Sequence, residues 1–371
     1  MRSFAIVLLV LEIGCGVAFA AQSALRNMAS GPPPKRFDKD GDGKISDNER
    51  AAIRELVRKR AQRPGAMTPS GKTETIGNRE VTELEYTSSD GRKIPCVLSM
   101  PKGDGPFPCI VTIHGGPGNR DLAYLRTLAA PNSVSATVNA FNEQPWAVLA
   151  ISYRAGALFG KEQDDVIAGI RFAKSLPKVD PARVGVMGGS HGGHLALIAA
   201  IRMGNEFACV VAGSPWMTNP EVLLFPKPDE PPLSLLPEKV RTVLMDHGKR
   251  LYWGLTRGRG MSDQEVREFI RQQSIEFNAD KIVIPSLFIT SLADQSVPHV
   301  MVEPTINRLK ASGRDVMVFT AKNSPHGFYW GRDVGGSRIL GGMKTPEELA
   351  EETQAREHIL NFFRRCFGER K

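Results

Sequence analysis

The chain has 371 residues, of which 41% are hydrophobic, so it is long and apolar enough to bury the core of one large domain or two ordinary ones. Its formal net charge of +8 is spread along the sequence, with one basic cluster between residues 50 and 63. No recognised nucleic-acid-binding module accompanies that cluster, so we expect a solvated helix there and no nucleic-acid partner. The alternative is association with anionic surface material.

The first twenty residues have the pattern of a secretory signal. Arg2 precedes an apolar run, and residues 18–20 form an A-x-A pattern. The run is too short, and too interrupted by Glu12, to span a membrane. We expect cleavage after Ala20 and a secreted or periplasmic protein without a transmembrane span. The alternative is a lipoprotein attached at Cys15, although Glu12 stands where such sites usually have an aliphatic residue.

Cleavage would leave four of the five cysteines, and their spacing does not match a metal site. In an oxidising compartment the predicted disulfide joins Cys96 to Cys109, because both fall in successive predicted strands. The alternative is that all four behave as small buried hydrophobic residues, namely Cys96, Cys109, Cys209 and Cys366.

An acidic stretch, FDKDGDGKISDNE at residues 37–49, matches the calcium loop D-x-D-x-D-G-x5-E. Calcium prefers several oxygen ligands at loosely fixed distances, which alternating carboxylates and a bidentate glutamate supply. The predicted ligands are the carboxylates of Asp38, Asp40, Asp42 and Glu49 and the backbone oxygen of Lys44. Only the exiting helix looks well formed, so we predict a single EF-hand segment over residues 21–62, with calcium as a structural ion. The alternative is a solvated acidic loop.

A linker rich in Pro, Gly, Ser and Thr is predicted over residues 63–77, and strands then alternate with helices through residues 78–371. The eight predicted strands are VTELEYTS, KIPCVLSM, PCIVTIHG, AVLAISYR, RVGVMGGS, CVVAGS, SLFITSL and VMVFTA. This alternation predicts an α/β fold, with a mostly parallel eight-stranded sheet covered by helices on both faces. Between about 214 and 282 it lapses into a helical insertion, which we interpret as a lid.

The last helix is well marked in the sequence. Thr345 is the predicted N-cap, Pro346 stands in the first turn, and Glu348 completes a capping box. Leu349, Ile359 and Phe363 would share its apolar face.

A nucleophile elbow is predicted within RVGVMGGSHGGHLALIAA, where Gly-x-Ser-x-Gly lies between a strand and a helix. Such a serine occupies a strained turn, and side chains at Gly188 or Gly192 would collide with the adjacent elements. The alternative is a glycine-rich turn without chemistry. We predict that Ser190 is the nucleophile.

The chain order Ser, Asp, His restricts the choice of base. His326 directly follows the strand VMVFTA, so it lies at the carboxyl edge of the sheet, where Ser190 also emerges. His299 is expected at the start of a helix, and His358 lies within the final amphipathic helix. We predict that His326 is the base.

The same reasoning selects the acid. Asp294 follows the strand SLFITSL and lies at the carboxyl edge, whereas Asp280 and Asp315 precede strands and lie at the opposite edge. Asp294 is therefore predicted to accept a hydrogen bond from His326 and so to fix its tautomer.

Oxyanion donors are predicted from the loop IHGGPG, residues 113–118, and from the residue after the nucleophile. The candidates are the backbone N–H groups of Gly116 and His191. His114 is expected to brace the loop, whereas His194 and His247 are expected to be structural.

Together, several motifs resemble the catalytic domain of the prolyl oligopeptidase family, within the α/β-hydrolase superfamily. They are SSDGRKIPCVLSMPKG, IHGGPG, SYRAG, VDPARVGVMGGSHGG, ADQSVP and PHGF, and the likeness runs over nearly all of residues 81–367. The resemblance implies the same triad of Ser190, Asp294 and His326. Two departures are His191, where a tyrosine is common, and His194, where another aromatic residue is frequent. We also expect no β-propeller of the kind that accompanies this domain in the oligopeptidases, because these 371 residues leave no room for one.

The sequence therefore predicts a serine hydrolase that cleaves a peptide or ester bond and needs no cofactor for catalysis. A carboxylesterase or carbohydrate esterase is the alternative enzyme. An alternative of another class is a calcium-dependent binding protein on an inactive hydrolase scaffold. Trp216, Tyr252 and Trp253 are candidates to line the substrate pocket, with packing as the other interpretation of each.

Overall fold

The computed structural model describes residues 71–155, 159–331 and 344–368. The predicted signal (1–20), the calcium segment (21–62) and most of the linker (63–77) lie outside these residues. The same holds for the five predicted calcium ligands, Asp38, Asp40, Asp42, Lys44 and Glu49.

The described residues contain one mixed sheet of nine strands. The strands are β1 Thr73–Ile76, β2 Arg79–Thr87, β3 Lys93–Pro101, β4 Phe107–Ile113, β5 Ala147–Ile151, β6 Val179–Gly189, β7 Cys209–Gly213, β8 Ser286–Ser291 and β9 Val316–Ala321. Their order is β1-β2-β3-β5-β4-β6-β7-β8-β9, with β1 to β3 antiparallel and β4 to β9 parallel. The predicted fold class, a mostly parallel α/β sheet with helices, is confirmed.

The strand that the sequence did not predict is β1, which pairs antiparallel with β2 at the sheet edge. It falls within the predicted linker, so that linker and the count of eight strands were wrong here. The sequence TETI is largely exposed and lacks an apolar alternation, so its pairing depends on β2 rather than on its own burial.

Nine α-helices surround the sheet in the described residues. They are α1 Leu122–Ala129, α2 Ala136–Asn142, α3 Lys161–Ser175, α4 His191–Met203, α5 Glu221–Leu224, α6 Glu238–Arg259, α7 Asp263–Gln273, α8 Glu303–Ala311 and α9 Pro346–Cys366. The apolar side chains of α3, α4 and α8 pack on one face, and those of α1, α2 and α9 on the other. Because both faces are covered, central strands such as β5 are buried along their whole length.

The interval predicted as a lid contains α5, α6 and α7, which have a small apolar core of their own. Leu223, Leu244 and Ile270 belong to this core. Val300 and Met301, which follow the carboxyl end of β8, pack against it. The insertion therefore lies at the carboxyl edge of the sheet.

The predicted disulfide between Cys96 and Cys109 is wrong. These residues lie on β3 and β4, which are separated by β5, and their neighbours on β5 are Ile151 and Ala147. Two strand spacings of about 4.8 Å already exceed the roughly 7 Å limit for a disulfide between Cα atoms. Both thiols are free and fully buried, and burial raises the pKa of Cys109 to about 12.

Candidate active site

The order of the strands places a crevice at the carboxyl ends of β4 and β6. From β4 the chain continues to β5 on one side, and it then crosses back to β6 on the other side. In open α/β sheets such a reversal leaves a gap between the two following loops, where ligands bind. The loop after β4 begins at His114, and the loop after β6 is Ser190 itself.

Ser190 lies in a strained turn between β6 and α4. Its backbone has φ 55° and ψ −121°, a region that residues with a side chain rarely adopt. Hydrogen bonds hold this conformation: the Ser190 N–H donates to Gly213 O (2.8 Å), and Ser190 O accepts from the N–H of Trp216 (3.0 Å). The turn has the geometry of a nucleophile elbow.

Glycines at this turn allow backbones to touch. A Cβ at Gly188 would lie 2.0 Å from Gly192 O, and a Cβ at Gly192 would lie 2.4 Å from His114 O. At Gly115 it would lie 3.1 Å from the Ser190 Cβ. The loop after β4 and the elbow are therefore packed against each other at their main chains.

Asp294 and His326 come together across the ends of β8 and β9. His326 Nδ1 lies 2.7 Å from Asp294 Oδ2, and the carboxylate is buried, with 2% of the residue exposed. The other oxygen, Oδ1, accepts from the N–H groups of Ser296 (2.8 Å) and Val297 (2.9 Å). These bonds fix the carboxylate, and the tautomer that donates from Nδ1 leaves His326 Nε2 as the proton acceptor.

The two groups shift each other's pKa. Burial raises the pKa of the Asp294 carboxyl. The facing His326 and the hydrogen bonds lower this pKa by more than burial raises it, so the net pKa is below its usual range. Burial alone lowers the pKa of His326, but the Asp294 carboxylate more than offsets this, so the net pKa is above its ordinary value. The imidazolium is therefore stabilised at this position.

The competing histidines and acids lie elsewhere. His299 Nδ1 lies 2.9 Å from the Thr290 hydroxyl, and His358 Nδ1 lies 2.8 Å from Gln354 O on α9. Asp315 pairs with Arg365 at the opposite edge of the sheet. Asp294 is thus the acid that contacts His326.

The loop that carries His326 also packs against the elbow. Tyr329 and Trp330 follow His326 closely, and both are buried. A Cβ at Gly189 would lie 2.8 Å from the Tyr329 hydroxyl oxygen and 2.7 Å from Trp330 Nε1. At Gly213 it would lie 2.4 Å from the Tyr329 ring. The residues that follow the predicted base therefore pack against Gly189, which precedes the predicted nucleophile.

Tyr153 holds the loop after β4, a role that sequence reasoning missed. Its buried hydroxyl donates to Gly116 O (2.8 Å) and His114 O (3.1 Å), and its ring stacks on His114 with centroids 4.2 Å apart. The N–H of Asn119 donates to Tyr153 O (2.6 Å). The motif SYRAG was the signal that could have identified it.

Arg154, the next residue, anchors Tyr153 in turn. Its guanidinium binds Asp165, which is fully buried, at 2.6 Å, and Asp90 at 2.7 Å. Asp90 belongs to the turn between β2 and β3. The segment that holds the loop after β4 is thus connected to both the sheet edge and α3.

His191 directly follows Ser190, and Gly116 belongs to the loop whose Gly115 packs against Ser190; their role as oxyanion donors stays a prediction. His191 is the first residue of α4, where backbone N–H groups lack helical acceptors, and Gly116 has φ +71°. Burial lowers the pKa of His191 to about 3, so its ring is neutral. Among the candidate pocket residues, Trp216 packs on His191 (5.7 Å), whereas Tyr252 bonds Asp263.

Trp253, the remaining pocket candidate, is 44% exposed on α6, and Arg257 lies 5.0 Å above its ring. Among the described residues, no group of three or more His, Cys, Asp or Glu side chains is arranged to hold a metal ion. No helix in the described ranges is both long and apolar enough to cross a membrane.

Two family models each match part of the chain. The BD-FAE model matches residues 97–217, and the model named BAAT / Acyl-CoA thioester hydrolase C terminal matches residues 168–323. Both matches include the elbow, and the second also includes Asp294.

Among curated proteins, Dipeptidyl peptidase family member 6 of Caenorhabditis elegans is 24% identical over 296 residues, covering 72% of this chain and 34% of that protein. The chain spans about a third or less of the length of the curated relatives it matches.

Two solved structures share the fold. A puromycin hydrolase has a TM-score of 0.56 at 19% identity, covering 79% of this chain and 40% of that one. An esterase from Pyrobaculum calidifontis has a TM-score of 0.52 at 17% identity, covering 80% and 87%. The chain thus has the α/β-hydrolase fold, and its likeness to peptidases and esterases is consistent with a serine hydrolase.

Proposed function

We propose that the protein is a secreted serine hydrolase that cleaves a peptide or ester bond through an acyl-enzyme on Ser190. The observation that carries this proposal is the buried Asp294 carboxylate bonded to His326 on a loop packed beside the elbow. A binding protein has no need of Ser190, Asp294 and His326 together, so their joint presence favours an enzyme over a binding protein.

In the first half of the reaction, the Ser190 hydroxyl attacks the carbonyl carbon of the substrate while its proton passes to His326 Nε2. Asp294 stabilises the imidazolium through Nδ1. The backbone N–H groups of Gly116 and His191 bind the oxyanion. When the tetrahedral intermediate collapses, the imidazolium gives its proton to the leaving amine or alcohol, and the acyl group remains on Ser190.

In the second half, water takes the place of the leaving group. His326 accepts a proton from the water, the hydroxide attacks the acyl carbon, and Ser190 regains the proton as the carboxylic acid departs. Apart from the substrate and this water, the proposed steps use only groups of the chain itself.

The second candidate is a carboxylesterase or a carbohydrate esterase. The match to a family named for acyl-CoA thioester hydrolysis, over residues 168–323, favours an activated acyl substrate. The amine that leaves from an amide needs protonation more than an alkoxide or thiolate does. Comparing substrates that differ only in the leaving group therefore distinguishes a peptidase from an esterase.

We further propose that residues 38–49 bind one structural calcium ion through Asp38, Asp40, Asp42, Glu49 and the Lys44 carbonyl. The hydrolase pattern is complete without this segment, so calcium takes no part in bond cleavage.

The test is covalent labelling with a fluorophosphonate, followed by a panel of nitrophenyl esters and aminoacyl anilides. Labelling should be lost in Ser190→Ala and kept in Ser175→Ala, whose hydroxyl lies on the exposed end of α3. Turnover of esters alone would select the esterase. Undiminished labelling and turnover in Ser190→Ala would refute the proposed chemistry, and a folded wild-type protein that is neither labelled nor active would favour an inactive scaffold that binds calcium.

A further inference from the structure

The loop between β9 and His326 is held by a carboxylate from the last helix. Glu351, on the second turn of α9, accepts hydrogen bonds from three successive backbone N–H groups, those of Lys322 (2.8 Å), Asn323 (3.1 Å) and Ser324 (2.9 Å). It also accepts from the Ser324 hydroxyl (2.6 Å) and the Asn323 amide (3.0 Å). One side chain thus binds five donors on the loop.

Successive N–H groups that point the same way form a nest that favours an anion. Hydrogen bonds to an ionised carboxylate are roughly twice as strong as neutral ones, so the nest and Glu351 stabilise each other. Burial raises the pKa of Glu351, but these hydrogen bonds lower it more, and the net pKa lies below its usual value. The carboxylate is therefore ionised at neutral pH.

Glu351 is not needed to begin its own helix. The Thr345 side chain accepts from the Glu348 N–H, and the Glu348 carboxylate accepts from the Thr345 N–H (2.8 Å), which closes the predicted capping box. The helix start is thus satisfied one turn earlier, and the contacts of Glu351 go to the loop.

The opposite side of the loop is fixed by the strand that leads to the acid. The Ser291 hydroxyl, at the end of β8, donates to Ser324 O. Ser324 is therefore bound by Glu351 at its N–H and by Ser291 at its carbonyl. Pro325 and His326 follow at once, so the position of the imidazole depends on both contacts.

We infer that Glu351 is a positioning residue, which sets the His326 loop at the distance where Nδ1 bonds Asp294. This inference rests on the proposed function, since it assigns Glu351 a part in the same reaction. Glu351 acts through the backbone of the loop and touches no reacting atom.

The test compares Glu351→Gln with Glu357→Gln, which removes the same charge from an exposed position on the same helix. An amide presents N–H donors to the nest, so the loop should move in Glu351→Gln. Displacements of about 1 Å can cost on the order of a hundredfold in rate, so we expect kcat to fall about ten- to a hundredfold with KM changed less than about twofold. Glu357→Gln should match the wild type.

The pH profile separates positioning from mere loss of stability. If the bond to Asp294 loosens, the pKa of His326 falls back toward its ordinary value, so the acid limb of kcat/KM should move to lower pH in Glu351→Gln. Glu351→Asp, which keeps the charge, should recover part of the rate. An unshifted limb and an unchanged kcat per labelled site, whatever happens to Tm, would overturn the inference.

The proposed function fails separately. If the wild type is labelled at Ser190 but Glu351→Gln behaves like Glu357→Gln, only the role of Glu351 is refuted. If the wild type is not labelled at all, the hydrolase mechanism itself is refuted.

Discussion

The two loops that flank Ser190 are held by opposite kinds of group. The loop after β4 is held by a neutral donor, the Tyr153 hydroxyl, which binds the carbonyls of His114 and Gly116. The loop after β9 is held by an ionised acceptor, Glu351, which binds N–H groups. Each of these two side chains forms hydrogen bonds with backbone atoms that the proposed reaction does not use.

The difference has a simple chemical reason. In the first loop, binding the carbonyls leaves N–H groups for an oxyanion. In the second, the working group is a side chain, so all the N–H groups can be used for anchoring. Burial raises the pKa of Tyr153 well above its usual value, and the nest lowers that of Glu351, so neither group changes its protonation state near neutral pH.

The largest expected effect lies outside both loops, at Asp294, the acid that His326 bonds. Asp294→Asn should keep the fold but stabilise the wrong tautomer of His326, lowering kcat by about 10⁴-fold. Asp315→Asn, at the opposite sheet edge, is the matched control and should keep its activity. Steady-state kinetics would measure both, and an equal loss in the two variants would refute the choice of acid.

A smaller effect is expected from releasing the first loop. Tyr153→Phe removes the hydroxyl that binds two carbonyls, so the oxyanion N–H groups should lose their alignment and kcat should fall about tenfold or more at similar KM. Tyr86→Phe is the control, because its buried hydroxyl donates to Ser152 O and does not contact the loop. If both variants lose only thermal stability, Tyr153 does not organise the site.

The pH dependence tests whether Tyr153 and Glu351 keep their protonation states near neutral pH. His326 must be neutral to accept a proton, and its pKa is raised, so kcat/KM should rise with pH through an apparent pKa above about 6.5. Below that value it should fall about tenfold per pH unit, the slope of a single proton. A steeper slope would mean that another group, such as Glu351, titrates with the base.

The smallest effect is expected from calcium removal. The hydrolase pattern is complete without the predicted calcium segment, so a chelator should leave kcat/KM unchanged. Calorimetry should find one calcium site with a Kd of about 10⁻⁴ to 10⁻³ M, lost in Asp38→Ala combined with Glu49→Ala. Loss of turnover on chelation, restored by calcium, would contradict the proposal that the calcium segment and the hydrolase domain act independently.

Sequence reasoning placed Ser190, Asp294 and His326 at one edge of the sheet because each follows a strand, and strand ends decide which edge of a parallel sheet a residue occupies; the structure shows the Asp294–His326 contact, and the catalytic roles stay a prediction. It missed Tyr153 and Glu351 because their roles come from contacts between distant elements. Glu351 stands among several acidic residues of one helix, and no local pattern distinguishes it.

The disulfide prediction failed for a related reason. Strands that succeed one another in the chain were taken as neighbours, yet β5 lies between β3 and β4. The strand β1 was not predicted because a short, exposed edge strand has no alternation of apolar and polar residues.

The dependence of the His326 loop on α9 has a consequence for synthesis of the protein. A chain emerging from the ribosome contains all three reactive side chains before Glu351 has been made. Until α9 folds onto the sheet, the base loop lacks its carboxylate and the imidazole is poorly aligned. The nascent protein is therefore expected to remain inactive while it is still being elongated.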